Sequence, residues 1–170
     1  MSGSLSNVTI LIVDDSLHIR RLLLTMLRSF GCTNIVEAKT AQQALDILNR
    51  RQIDLALIDW MLEDPQQTGI HLVREIRRSP HEHITYLPVI MMTGHTERDN
   101  IENARDAGIT EFLAKPFTAK NLHSRISALI DQPRPFVKTR TFFGPDRRRK
   151  DESPPGGERR LHNPRREKHK

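Results

Sequence analysis

Five times before residue 116 a short apolar run gives way to a stretch with helical spacing. The runs are VTILIV at 8–13, NIVEA at 34–38, DLALID at 54–59, LPVIMMT at 87–93 and ITEFLAK at 109–115. Runs of this length alternating with amphipathic segments specify repeated βα units and a parallel sheet. The expected fold is α/β, a doubly wound five-stranded parallel sheet with five helices. In the first helix Ile19, Leu22, Leu23, Met26, Leu27 and Phe30 fall on one stripe, and Gly31 stands where a C-terminal cap belongs. The second shows Ala41, Ala44, Leu45 and Leu48, the third Leu72, Val73 and Ile76, and the fifth Leu122, Ile126, Leu129 and Ile130. The fourth, inside HTERDNIENARDAG, offers only Ile101, Ala104 and Ala107, so it is expected to dock weakly and to shift at low cost.

A chain of 170 residues has room for one good core. The pattern divides it into a globular part over 6–131 and a tail over 132–170 that holds six of the ten prolines. The charge divides at nearly the same place. Residues 1–130 carry 14 Lys and Arg against 15 Asp and Glu, a net of −1, whereas residues 131–170 carry 13 against 6, a net of +7. The single cysteine, Cys32, excludes an internal disulfide framework, and MSGSLSNVT has no signal-peptide character. With no apolar run long enough to span a membrane, a cytoplasmic protein is expected.

In such a sheet, ligands bind outside the carboxyl ends of the strands. There the first strand ends in Asp14 and Asp15, the third in Asp59, the fourth in Thr93 and the fifth in Lys115. Each has a structural reading of its own: Asp15 or Ser16 could cap the first helix, Thr93 the fourth, Asp59 could end a strand, and Lys115 could be a solvated charge. Together they make chemical sense. Two adjacent carboxylates about 4 Å apart repel by roughly 4 kcal/mol at an effective dielectric of about 20, so the acid cluster demands a cation. Oxygen ligands alone suit Mg²⁺, which takes one or two carboxylates and leaves room for a phosphoryl oxygen. Asp59 is then a nucleophile able to form an acyl phosphate, with Lys115 and the Thr93 hydroxyl meeting the remaining phosphoryl oxygens.

The segments VDDS, LIDWM, MMTG and LAKPF, in this order and spacing, resemble the receiver domain of two-component response regulators, the CheY-like, flavodoxin-like fold. The resemblance covers about residues 6–130 and implies a strand order of 2-1-3-4-5. It implies further that Asp59 accepts a phosphoryl group from a sensor histidine kinase or a phosphotransfer protein. Asp15 would bind Mg²⁺ directly, Asp14 largely through water, and the Met61 backbone carbonyl would add a ligand. Thr93 and Phe112 match the family's switch pair, Lys115 its phosphate-contacting lysine, and Lys115-Pro116 its cis peptide. Met61 and His95 stand where the family tunes hydrolysis of the acyl phosphate, and a bulky Met61 implies slow loss. The chain departs from the pattern in DWMLEDPQQTG, about two residues longer than usual and carrying Glu63 and Asp64. It departs also at Gly94, where alanine is usual, and at Phe112, which lacks the tyrosine hydroxyl.

The expected function is that of a response regulator signalling to a downstream protein target through protein contacts. It is a phosphoacceptor rather than an enzyme, beyond Mg²⁺-dependent self-phosphorylation and slow self-dephosphorylation. A homodimer would use the face of the fourth helix, fifth strand and fifth helix, or a C-terminal arm. The tail reads first as a disordered basic segment and next as an arm, PFVKTRTFF, docked on its own receiver or a partner's. A nucleic-acid site ranks last, since the arginines of GPDRRRK and GGERRLH are interleaved with acids. Two alternatives stand beside this reading: a tail-driven nucleic-acid regulator and an aspartyl-phosphate phosphatase. The phosphatase would want a second acid at the position of Met61.

Overall fold

A computed structural model describes residues 5–94 and 98–146 of the chain. After a 3₁₀ turn (Leu5–Asn7), the elements are β1 (Thr9–Val13), α1 (Leu17–Ser29), β2 (Asn34–Ala38), α2 (Ala41–Arg50), β3 (Leu55–Asp59) and α3 (Gly69–Arg78). They continue with α4 (Glu82–Thr85), β4 (Val89–Thr93), α5 (Arg98–Ala107), β5 (Glu111–Ala114), α6 (Ala119–Asp131), β6 (Phe136–Lys138) and β7 (Phe143–Pro145). Strands β1–β5 form one parallel sheet in the order β2-β1-β3-β4-β5. This is the expected topology, with one helix more than expected. The extra helix, α4, is a single turn, too short to carry a periodic apolar signal.

Alternation along the strands divides the core. Ile10, Ile12, Leu55, Leu57, Ile90, Met92 and Leu113 face α1 and α6, where Leu23, Leu27, Leu122, Ile126 and Leu129 cover them. Leu11, Val13, Ala56, Ile58, Val89 and Met91 face the other way, beneath Ala44 and Leu48 of α2, Val73 and Ile76 of α3, and Ala104 and Ala107 of α5. The expected stripes on α2, α3 and α6 are therefore the packed ones; on α5 Ala104 and Ala107 are buried while Ile101 is half-buried, and the larger departure is on α1. There Leu22 is exposed and Arg20 is buried in line with Leu23 and Leu27, so the inward face is rotated toward a charged residue.

The helix ends follow local chemistry. Ser16, Thr40 and Thr118 each accept a backbone N–H of the first turn through the side-chain oxygen. Past α1, Phe30 takes the cap and Gly31 adopts φ +88°, the left-handed conformation that ends helices at glycine.

The tail reads first as a disordered basic segment and next as an arm docked on its own receiver, and between 136 and 145 the structure has the docked arm. β6 and β7 pair antiparallel as a hairpin, closed by a loop in which the Phe142 N–H donates to Thr139 Oγ1 at 3.0 Å. An isolated two-stranded hairpin is marginal in water, so packing must hold it. Tyr86, beyond α4, meets the rings of Phe136 and Phe143 edge-on at 5.0 and 5.4 Å. Arg77 of α3 lies under Phe136, its Cζ 5.0 Å from the ring centroid, and donates to the carbonyls of Gly108, Thr85 and Leu87 at 2.9, 2.9 and 2.8 Å. Burial pushes the Arg77 guanidinium down to about 9. Gly144 packs on Gly108, where a Cβ would sit 3.0 Å from the opposing Cα. Ahead of the hairpin, Arg134 pairs with Glu111 of β5 at 3.2 Å. The aromatic cluster is what distinguishes this segment from solvated disorder. The basic repeats beyond residue 146, and His95, lie outside the described residues.

Candidate phosphoacceptor and metal site

The strand order reverses between β1 and β3, which opens a crevice at their carboxyl ends. Asp14 and Asp15 follow β1 directly, and Asp59 is the last residue of β3. Asp14 is fully buried, Asp59 is nearly so, and Asp15 is exposed. Each offers a carboxylate oxygen, and the three oxygens lie within 4.8 Å of one another.

Lys115, just beyond β5, reaches across the crevice. Its ammonium lies 2.9 Å from Asp59 Oδ1 and 3.3 Å from Asp14 Oδ2. Its backbone N–H donates to the Thr93 carbonyl at 2.8 Å, and the bond to Pro116 is cis. Burial raises the Asp59 carboxyl, and although the Lys115 hydrogen bond and charge pull it down, the nearby Asp14 helps keep it above its ordinary value. Burial alone would lower the Lys115 ammonium, but Asp59 and then Asp14 outweigh it and leave it raised. One cation thus compensates only part of a triple-acid cluster.

The donor set fits a hard divalent cation: three carboxylate oxygens converge from two strand ends, with no nitrogen or sulfur ligand among them. Glu63 and Asp64, in the lengthened loop, stay exposed outside this group. Asp64 instead accepts the Gln66 N–H at 2.8 Å in a local turn.

Thr93 ends β4 beside the crevice and is almost fully buried. Phe112 lies half-buried on β5, registered against Met91 and packed on the core beneath α2, α3 and α5. Met61 follows the β3 tip with its side chain 49% exposed. Gly69 starts α3 where only glycine fits, because a Cβ there would collide with the Asp59 carbonyl oxygen. Trp60, the one tryptophan of the chain, donates its N–H to the Met92 carbonyl at 2.9 Å and packs on the core.

Two residues next to the acid pair are absent from the sequence-derived set. Arg20, 4% exposed, donates to the carbonyls of Asp14 and Asp15 at 2.8 and 3.1 Å and, through Nε, to Glu37 at 3.0 Å. The available signal was a charge three and seven residues before two buried leucines, on the core side of an amphipathic helix.

Comparison with known proteins bears on this arrangement. The family model described as "Response regulator receiver domain" matches residues 10–127. The Pseudomonas aeruginosa protein named "Chemotaxis protein CheY" is 38% identical over 123 residues, covering 72% of this chain and 96% of that one. A putative response regulator from Chloroflexus aurantiacus superposes with a TM-score of 0.66 at 27% identity, over 73% of this chain and 98% of its own. The receiver domain of the sensor histidine kinase PA1611 from Pseudomonas aeruginosa, solved with a magnesium ion coordinated in its active-site cleft, gives 0.61 at 32% identity, over 71% and 93%. This chain belongs to the response regulator receiver domain family and is a homologue of CheY, consistent with two-component phosphorelay signalling.

Proposed function

We propose that Asp59 is the phosphoacceptor of this receiver, and the observation that carries the reading is the Lys115 ammonium held between Asp59 and Asp14 beside the exposed Asp15. A carboxylate oxygen of Asp59 attacks phosphorus, the bond from phosphorus to the donor's imidazole nitrogen breaks, and the imidazole keeps the electron pair and takes up a proton. Lys115, already in contact with Asp59, meets one oxygen of the transferred group. The Thr93 hydroxyl meets another, and both stabilise charge spread over those oxygens. Asp14, Asp15, Asp59 and the Met61 carbonyl would hold Mg²⁺, which when bound supplies charge neutralisation for the transfer.

Thr93 and Phe112 form the switch pair in this reading. Moving a two-state equilibrium from 1:99 to 99:1 takes about 5.5 kcal/mol, and a dianionic group tied to Lys115 and Thr93 is a source of that size. The donor is a sensor histidine kinase or a phosphotransfer protein, and the output is a contact with a downstream protein target or a homodimer through α5, β5 and α6. The receiver spans 6–131, and 132–170 forms a basic extension. The protein is a cytoplasmic phosphoacceptor rather than an enzyme. Cys32 is an unpaired buried thiol, and among the described residues no helix is long and apolar enough to cross a membrane.

The test is labelling by a small phosphodonor with and without Mg²⁺. Acid-labile phosphate is expected on the parent only with Mg²⁺ and is expected to vanish in Asp59→Asn. Labelling that persists in that variant overturns the assignment.

A further inference from the structure

The acid pair has a support that the proposed chemistry does not use. We propose that Arg20 is a positioning residue for divalent-cation binding, fixing the backbone of Asp14 and Asp15 so that their carboxylates meet Asp59 at ligand spacing. This inference rests on the reading of the crevice given above and adds to it a determinant of metal affinity outside the ligand set.

Its Nη1 donates to two successive carbonyls, Asp14 at 2.8 Å and Asp15 at 3.1 Å, so a single planar group constrains both peptide units of the pair. For Asp14 this completes an enclosure. Its N–H donates to the Ala38 carbonyl at 3.2 Å, Oδ1 accepts the Ser16 N–H at 2.8 Å and Oδ2 faces Lys115 at 3.3 Å. For exposed Asp15 the dependence is greater. Among the described residues, the bond from Arg20 is the hydrogen bond tying it to the rest of the chain. Arg20 is itself aimed from the core side of α1, on the face that carries Leu23 and Leu27, and is 4% exposed, so few rotamers are open to it.

A cation beneath a cation site would ordinarily oppose binding. Glu37 of β2 removes that conflict by pairing with Arg20 Nε at 3.0 Å, so the positioning device is close to electroneutral. Geometry and charge are therefore carried by separate residues, and substitution can separate them. Losing Arg20 frees the two carbonyls. Losing only the Glu37 charge keeps the geometry and leaves an uncompensated guanidinium near the incoming ion.

The experiment is a Mg²⁺ titration of the full chain followed by the fluorescence of Trp60, which directly follows Asp59. It covers the parent, Arg20→Met, Arg20→Lys and Glu37→Gln, each with a urea titration in chelator. Arg20→Met is expected to weaken Mg²⁺ about tenfold or more. Arg20→Lys, which keeps the charge but cannot span both carbonyls and Glu37, should weaken it severalfold. At saturating Mg²⁺, labelling by a small phosphodonor should return to within about twofold of the parent in both. Glu37→Gln should weaken Mg²⁺ about two- to threefold at low salt, and this loss should fade at high salt while that of Arg20→Met persists. If Arg20→Met does not fold, Arg20→Lys carries the test. An Arg20 variant that folds less stably yet binds Mg²⁺ as tightly as the parent reduces Arg20 to a structural role and overturns the proposal. A parent that takes up no Mg²⁺ overturns the reading of the crevice and this inference with it.

Discussion

The Asp59 carboxylate is ionised at a cost, since burial holds its pKa above the ordinary 3.8. In a carboxylic acid with a raised folded-state pKa, the ionised form destabilises the fold above that pKa, and the cost disappears as the pH falls through it. Without metal, Asp59→Asn is therefore expected to unfold at higher urea at neutral pH, with a gain that shrinks toward pH 4. Equal midpoints would contradict the burial argument. Lys115 has the opposite sign: its raised pKa contributes stability that is complete below the ordinary 10.5 and is lost as the pH rises through the higher folded value. Alkaline titration followed by circular dichroism should thus show a transition in the parent that Lys115→Met lacks. At this scale the acid residues and the lysine were legible, because strand ends in a parallel sheet put their polar residues at one edge. Arg20 was not legible, because a helical stripe counts apolar residues and passes over a charge that its partners have made suitable for the interior.

Element by element, what a strand or helix packs against decides how firmly it is held. Gly69 sets where α3 begins relative to the β3 tip, and Gly69→Ala drives a methyl group into the Asp59 carbonyl. The variant is expected to lose about 1–3 kcal/mol by urea titration and to label more slowly, since the displaced atom belongs to the backbone of Asp59. The helix α5 meets the sheet through Ala104 and Ala107, small side chains that bury little area, whereas α6 brings Leu122, Ile126 and Leu129. Amide exchange should accordingly be faster across 101–107 than across 122–129, and equal protection would argue against a loosely held α5. The five parallel strands and five longer helices were readable from periodicity. The single turn of α4, held by Arg77 at the Thr85 carbonyl, was not, and of the hairpin only a docked aromatic arm was legible, since the Arg77 and Tyr86 that seat it come from α3 and the loop after α4.

Across the whole molecule the hairpin acts as a brace joining α3, the loop after α4 and the end of α5. Phe136→Ala removes the ring shared by Arg77 and Tyr86. A loss of about 1–3 kcal/mol is expected, together with faster amide exchange over 136–146, while Mg²⁺ affinity stays unchanged because the acids lie at the other end of the sheet. A matching drop in metal affinity would show that the two ends are coupled. The bracing also fixes where the chain goes next. Gly144 sits on Gly108, just ahead of β5, so the polypeptide reaches Asp146 near the amino ends of the strands, about 17 Å of strand away from the acid tips. From that point residues 147–170 add ten Lys and Arg against four Asp and Glu. The acid crevice and the residue from which this positive segment departs therefore lie at opposite ends of the strands.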